Sequence, residues 1–234
     1  MPELAIVAAL EREVRGFTKN LKRAFGRHAG RDFIFYECEE MVVVCGGIGA
    51  EAARRATEAA ISLYGPAKVY SVGFAGALRP AIRIGDVIVP DVVIDSRDGS
   101  RTAVADGKGV LVTFMAVASA QQKANLAQAY GADIVDMEAA AVANAAGAHG
   151  LAFGAIKAVS DEVNFELAET ARFIDASGHF RAGKFAVFAA LRPWLWLRVA
   201  RLASDSGKAA EALAERIQQV RLSLQRSAGK VAVS

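Results

Sequence analysis

Short apolar runs alternate with helical patterns through the first 160 residues, and that alternation restricts the fold more than any other feature. Leu4-Ala5-Ile6-Val7-Ala8-Ala9 is apolar at every position, the pattern of a strand buried on both faces. A helix is expected over Glu11 to Ala24. Strands are expected at Phe33 to Glu37 and Met41 to Cys45, flanking a turn at Glu39-Glu40. Gly49 to Tyr64 is Ala-rich and helical, stopped by Gly65-Pro66. Further strands are expected at Lys68 to Val72, Asp86 to Ile94 and Val110 to Thr113. Ser119 can cap a helix running towards Tyr130, with Gly131 as its stop. Asp133 to Asp136 reads as brief and extended, Met137 to Ala146 as a helix closed by Gly147, and Ala152 to Val159 as the last clear strand. The pattern implies an α/β chain with a central mixed, mostly parallel, twisted sheet flanked by helices. In such sheets, sites form beyond the carboxyl ends of the strands.

With 234 residues, 53% of them hydrophobic, the chain can bury one sizeable core. It holds no uninterrupted apolar run of about 18 residues, so no ordinary transmembrane helix is expected. Its first residues lack a basic leader and read as strand rather than signal peptide. Cys38 and Cys45 are too few for a disulfide framework or a four-ligand zinc site. A cytoplasmic location, with no metal, is the resulting expectation. The charge is uneven. From Arg181 to Ser234 there are ten Lys or Arg against three Asp or Glu, a local +7 in a chain of net +3, which leaves −4 on the rest. We therefore divide the chain into a catalytic body, 1–180, and a basic, Trp-containing helical extension, 181–234, packed on or beside it. A basic extension fits an anionic partner such as a membrane surface, or is a solvated helix face. Trp194 and Trp196 interleave with Arg192, Arg198 and Arg201, and Ser204-Asp205 is placed to cap a final helix over Ser206 to Leu224. Asp95 to Gly109 reads as a polar surface loop and Asn164 to Gly183 as a lid.

Chemistry has few carriers. Gly46-Gly47-Ile48-Gly49 follows a strand and precedes a helix, where backbone amides can approach an anion or a sugar, although such turns favour glycine in any case. Val72-Gly73-Phe74-Ala75-Gly76-Ala77 is a second small-residue turn, against which a flat ligand can lie. Glu13 and Glu138 stand in first helical turns, positions that the helix macrodipole favours for any acid. A carboxylate offers two acceptor oxygens, enough to bind both hydroxyls of a ribose. Asp161 closes Ile156-Lys157-Ala158-Val159-Ser160 at a strand end, and Ser160 can orient it.

Six segments in order carry a resemblance: Ala9-Leu10-Glu11-Arg12-Glu13-Val14, Gly47-Ile48-Gly49, Val72 to Leu78, Ile84-Gly85-Asp86-Val87-Ile88-Val89, Asp136-Met137-Glu138-Ala139-Ala140-Ala141-Val142-Ala143 and Val159-Ser160-Asp161. Together the chain from Leu4 to Asp161 resembles the purine nucleoside and uridine phosphorylase superfamily, nearest its methylthioadenosine/S-adenosylhomocysteine nucleosidase branch. The resemblance implies a phosphorylase-like α/β fold and an enzyme that cleaves the bond between ribose and purine. It makes Asp161 the general acid towards N7 of the base, supported by Ser160, and Glu13 the group that holds and activates the attacking water. Glu138 would bind the ribose hydroxyls, Met137 would pack under the sugar, Ile48 would face the 5′ substituent, and Ala75 and Gly76 would line base and sugar. Carboxylates beside a ribosyl-cation-like transition state stabilise its developing charge.

Phosphorylases of this superfamily carry an Arg three positions before a Ser or Thr to bind phosphate; here those positions are Ser71 and Phe74. Without charged donors an anion site loses most of its affinity, so hydrolysis is expected, with a phosphate-dependent phosphorylase (phosphate then being a co-substrate, and no other cofactor) and a non-catalytic nucleoside-binding protein as alternatives. Phe74 would block phosphate or reshape the sugar site. Val112 to Ser119 does not match the family's Gly-Asp-x-Phe segment, whose Phe stacks on adenine. Around Leu191-Arg192-Pro193-Trp194 the chain resembles the hopanoid-biosynthesis-associated phosphorylase subgroup. That resemblance implies adenosylhopane, a nucleoside linked to a polycyclic lipid, as substrate, and peripheral contact of the extension with the inner membrane face. The alternative is that its aromatics pack on the body or at a dimer interface. The family resemblance implies a homo-oligomer; no nucleic-acid partner is expected.

Overall fold

The computed structural model describes residues 1–165, 173, 178, 181 and 196–231, apart from the side chains of 196–200, 202 and 228–231. Its centre is β5 (Lys68–Ala77), which holds three neighbours at once. On one side β1 (Leu4–Ala8) runs parallel to its first half, Leu4 opposite Lys68. The long β11 (Ala152–Asp161) runs parallel to it on the other side, Ala152 opposite Lys68 and Asp161 opposite Gly76. The far end of β5 also pairs antiparallel with β10 (Ile134–Asp136), Val135 opposite Gly76. Three strand ends carrying functional candidates therefore converge on Gly76.

Among the described residues the sheet has 11 strands. Beyond β1 lie β4 (Met41–Cys45), β3 (Arg31–Glu37) and β2 (Lys22–His28). Beyond β10 lie β9 (Val110–Thr113), β7 (Val92–Asp95) and β8 (Arg101–Ala103), while β6 (Val87–Ile88) pairs with β11. The sheet is mixed, with antiparallel hairpins at both margins. On one face, α2 (Ala50–Tyr64) and α4 (Ala139–Ala148) pack their Ala-rich sides against Ala5, Val7, Val42, Val44 and Val69. On the other, α1 (Glu11–Thr18) and α5 (Trp196–Val231) cover Leu4, Ile6, Val43, Val72 and Ile156. Alanine on α2 and α4 lets helix and sheet approach closely, with little side-chain entropy lost on burial. α3 (Ala120–Tyr130) stands by the β9 and β10 edge, capped by Ser119, whose Oγ accepts from the N–H of Gln122 at 3.3 Å.

Several expected boundaries move. The first helix ends at Thr18, and Lys22–His28 is an edge strand paired with β3. The hairpin turns through Ala29 and Gly30, both at positive φ (46° and 78°), the geometry of a two-residue hairpin turn, but with Ala in place of the usual Asn or Asp. Asp86 to Ile94 is two short strands separated at Pro90, because Pro cannot donate to a ladder. The loop from Asp95 to Gly109 contains β8. α4 begins at Ala139, with Met137 and Glu138 before it. The final helix is continuous from Trp196, and Ser204-Asp205 sits within it: Asp205 lies 3.6 Å from Arg201 one turn earlier and is buried. Ala209, Leu213, Ile217 and Leu224 of α5 belong to the same apolar layer as Leu4 and Val14, and Arg221 and Gln225 donate to Glu40 at 3.1 and 2.6 Å. Trp194 and most of the expected lid, Asn164 to Gly183, lie outside the described residues, as does the side chain of Trp196. Among the described residues no helix is long and apolar enough to cross a membrane.

Candidate active site

Two glycines of β5 give the carboxylates room. Glu13, in the first turn of α1, is buried and folds its side chain against Gly73: a Cβ at Gly73 would lie 3.1 Å from Glu13 Oε2. Glu13 Oε2 accepts from the N–H groups of Ala9 and Leu10 at 3.0 and 2.9 Å, and Oε1 from that of Phe74 at 3.3 Å. Three residues along β5, about 10 Å of strand, a Cβ at Gly76 would lie 2.8 Å from Asp161 Oδ2. Only residues without side chains at these two positions let both carboxylates rest on the strand.

A bulge aims Asp161. The register of β11 on β5 shifts between Val159 and Asp161, leaving Ser160 as the extra residue. Ser160 Oγ donates to Asp161 Oδ1 at 2.8 Å. Lys123 Nζ, from α3, donates to Asp161 Oδ2 at 2.5 Å and to the carbonyl of Glu162 at 2.7 Å. Lys123 is buried; the Asp161 side chain keeps about a quarter of its surface open.

Glu138 sits where β10 gives way to α4. Its Oε1 accepts from the N–H of Gly49 at 2.8 Å and its Oε2 from that of Met137 at 3.2 Å. Gly49 can present its N–H in this direction because it adopts φ 95°, which suits glycine. The Gly47-Ile48-Gly49 turn is thereby tied to the Glu138 carboxylate 89 residues away. Ile48 is half-buried, and its N–H donates to the carbonyl of Gly178 at 2.7 Å.

Beneath these acids lies a buried ion pair that the sequence reading did not select. Lys157, in the middle of β11, places Nζ 2.8 Å from Asp136 Oδ2 and 2.9 Å from Ser71 Oγ. Both its side chain and that of Asp136 are all but inaccessible. Asp136 also accepts from Thr113 Oγ1 at 2.7 Å and from the N–H of Ala139 at 2.9 Å, capping α4. A lysine inside Phe153-Gly154-Ala155-Ile156-Lys157-Ala158-Val159 was itself a signal, since lysine is rarely buried without a partner. Lys123 carried no such signal, because its partner is 38 residues away.

Electrostatics follow from this crowding. Burial pushes the Glu13 carboxyl above its usual range, against the pull of the Leu10 and Phe74 amides and of Lys157. Glu138 is pushed up to about 8 by burial, then by Asp136 and Glu13, with Lys157 acting the other way. Burial alone would lower the Lys157 ammonium, but Asp136, Glu138 and Glu13 together hold it above its ordinary value. Three carboxylates thus surround one buried ammonium, and the cluster favours holding a proton. Among the described residues no group of side chains has the make-up of a metal site.

The remaining candidates take definite places. Ala75 is buried against Ala139 and Ala140, and its carbonyl accepts from Ser160 Oγ at 3.5 Å. Gly76 touches both Asp161 and Lys123. Met137 is half-buried beside Glu138. Phe74 brings its N–H to Glu13, while its ring packs on the layer of Val14, Val72 and Leu213, with the Arg12 guanidinium 5.8 Å from the ring centre.

Comparison with known proteins shows the family and the fold. A model of the phosphorylase superfamily matches residues 3–116 and 109–191. A 5′-methylthioadenosine/S-adenosylhomocysteine nucleosidase of Buchnera aphidicola subsp. Schizaphis graminum is 28% identical over 91 residues, 38% of this chain; the match spans 39% of that relative's length. The crystal structure of such a nucleosidase from Colwellia psychrerythraea 34H, in complex with adenine, superposes with a TM-score of 0.61 at 23% identity, covering 68% of this chain and 82% of the other. The 5′-methylthioadenosine nucleosidase of Arabidopsis thaliana, in apo form, superposes with a TM-score of 0.73 at 17% identity, covering 96% and 97%.

Proposed function

This chain belongs to the phosphorylase superfamily, and from that premise we propose that it is an N-ribosyl hydrolase cleaving the glycosidic bond of an adenosine-like nucleoside. One observation carries the reading: Glu13 and Asp161 rest on β5 over Gly73 and Gly76, and Glu13, Glu138 and Asp136 crowd the one ammonium, Lys157, that meets Ser71 of that strand. Phosphate beside Ser71 and Phe74 would meet these three carboxylates, with the Lys157 ammonium already committed to Asp136 and Ser71. Water has no such conflict.

In the proposed reaction the Asp161 carboxyl gives its proton to N7 of the purine, and the C1′–N9 bond breaks with its electron pair going to the base. Glu13, fixed by three backbone amides, orients a water whose oxygen bonds to C1′ and whose proton passes to the Glu13 carboxylate. Glu138 holds the ribose hydroxyls. The base leaves as its N7–H tautomer, and solvent returns Glu13 and Asp161 to their starting states. The cationic sugar is stabilised by the nearby carboxylates.

The finer proposal concerns the 5′ substituent. Ile48 and the Gly178 carbonyl face one another at the Gly47–Gly49 turn, where the 5′ group would lie. We propose adenosylhopane, a lipid-linked nucleoside, as substrate, on the strength of the Leu191 to Trp194 resemblance. A cytoplasmic enzyme, homo-oligomeric and resting on the inner membrane face, would suit that substrate. The first test is chromatography of products from methylthioadenosine, adenosine and inosine, each with and without phosphate. Phosphate-independent release of adenine is expected. Release only with phosphate would overturn hydrolysis. Release from 5′-alkylated adenosine but not from methylthioadenosine would support the lipid-linked substrate, and the reverse preference would count against it.

A further inference from the structure

The proposed acid is held by an ammonium that the reaction scheme has not yet used. Asp161 accepts from the Lys123 ammonium on one oxygen and from Ser160 Oγ on the other. Lys123 cannot simply be regarded as a surface lysine that happens to be near. Its side chain is 3% exposed, its Cε lies 3.2 Å from where a Gly76 Cβ would be, and a buried ammonium requires an opposite charge. The other charges nearby do not fill that need: the Glu162 carboxylate faces Arg201 at 3.1 Å and Arg83 at 3.9 Å, and offers Lys123 only its carbonyl.

We propose, building on the nucleosidase reading, that Lys123 is a positioning residue for the acid, carrying the negative charge that appears on Asp161 when its proton leaves for the purine. The contact between Lys123 and Asp161 is the arrangement that proton transfer requires at its end. A nucleoside enters together with one proton from solvent, which neutralises Asp161. The O–H bond of Asp161 breaks as the N7–H bond forms, the C1′–N9 electrons move into the base, and the new carboxylate is met at once by an ammonium already in contact with it. No proton leaves Lys123 at any step. Its second bond, to the Glu162 carbonyl, holds the main chain just after the Ser160 bulge, so the same side chain fixes both the charge and the aim of the carboxyl group. A preorganised charge of this kind acts without reorganisation during the reaction.

The test compares Lys123→Gln, which keeps a donor but loses the charge, with Lys123→Arg, which keeps the charge. Adenine release from the preferred nucleoside is followed from pH 5 to 9. Because activity requires proton uptake by Asp161, the wild type loses kcat/KM as pH rises. Lys123→Gln should move that alkaline limb upward by about one pH unit and lower kcat about 30-fold, part of the 10²–10⁴ that a placed acid contributes, with KM changed less than about threefold. Lys123→Arg should keep the limb where the wild type has it. An alkaline limb that stays put in Lys123→Gln overturns the proposal, whatever happens to kcat, since a merely structural lysine would lower activity without moving it. Urea unfolding of Lys123→Gln, Asp161→Asn and the double variant gives a second reading: the double variant should be more stable than the sum of the single losses, and strict additivity also overturns the proposal. A wild type that releases no base from any nucleoside is a different failure, that of the nucleosidase reading, and the proposal falls with it.

Discussion

Replacing Gly76 with Ala should damage the acid while sparing the fold. The added Cβ would lie 2.8 Å from Asp161 Oδ2 and 3.2 Å from Lys123 Cε, where ordinary contact begins at 3.4 Å. Gly76 has no positive φ, so the backbone accepts Ala and the strain falls on the carboxylate, which must retreat by about 0.6 Å. A 1 Å misplacement of a reacting group costs about 10²-fold, so kcat should fall by roughly 10–20-fold. Overpacking costs about 1–3 kcal/mol, offset in part by the ~0.4–1 kcal/mol that Gly→Ala contributes by restricting the unfolded chain. Two controls make the reasoning exact in its demands. At Gly73 the same change meets Glu13 Oε2 at 3.1 Å, a milder conflict, so kcat should fall only a few-fold. At Gly154, on β11 opposite Tyr70, a Cβ would meet the Tyr70 ring at 2.5 Å, a harsher clash remote from the carboxylates. Gly154→Ala should therefore lower the urea midpoint most and kcat least. Steady-state adenine release and urea unfolding on the three variants read both quantities. If Gly76→Ala keeps kcat within twofold of Gly154→Ala, the geometry around Asp161 does not control the chemistry and the argument is refuted.

Two further outcomes follow from the charge cluster. Lys157→Met strips the ammonium from Asp136 in a sealed site, and breaking a buried pair costs about 3–5 kcal/mol; a loss below about 1 kcal/mol by urea unfolding would show that the pair is not sealed, and Asp136→Asn in the same chain should recover part of the stability. Glu138, raised to about 8 from a reference of 4.5, binds a proton in the folded chain that the unfolded chain has released. Its contribution is fully present below about 4.5 and is lost as pH rises through about 8, with a slope approaching 1.4 kcal/mol per pH unit in between. Urea midpoints of the wild type should accordingly fall more steeply from pH 5 to 8 than those of Glu138→Ala, and parallel curves would refute the assignment.

What was legible in the sequence is what local rules encode. Val43, Ile6 and Val72 are apolar because their strands are covered on both faces, and a run without polar residues announces that directly. Ser119 and Gly131 mark α3 because capping chemistry is local. The strand from Lys22 was missed because the hairpin turns on Ala29 rather than on an Asn or Asp, and the basic residues around it fit a helix surface equally well. The continuity of α5 was missed for the opposite reason: Ser204-Asp205 is good cap chemistry, but Asp205 finds Arg201 within the helix and is buried. Glu13 and Glu138 were singled out in first helical turns and Asp161 at a strand end, together with a family resemblance. Nothing local says what they face. Asp161 is met by Lys123 from α3, Asp136 by Lys157 from β11, and Glu138 by the Gly49 amide from the turn before α2.

Each of these pairings spans 21 residues or more along the chain, and each changes what the acid can do. An ammonium meets one kind of acid here, Asp161, and burial raises the other, Glu13. The two kinds stand three residues apart along β5, over Gly76 and over Gly73. The strand thereby separates a group that must give a proton away from a group that must accept one, as acid–base chemistry at neutral pH requires. Glu13 is raised by burial, so it releases a proton reluctantly once it has taken one from water. Asp161 instead faces the buried Lys123 ammonium. The division of labour between Glu13 and Asp161 is therefore set less by the two residues themselves than by Lys123, Lys157 and the two glycines that hold them apart.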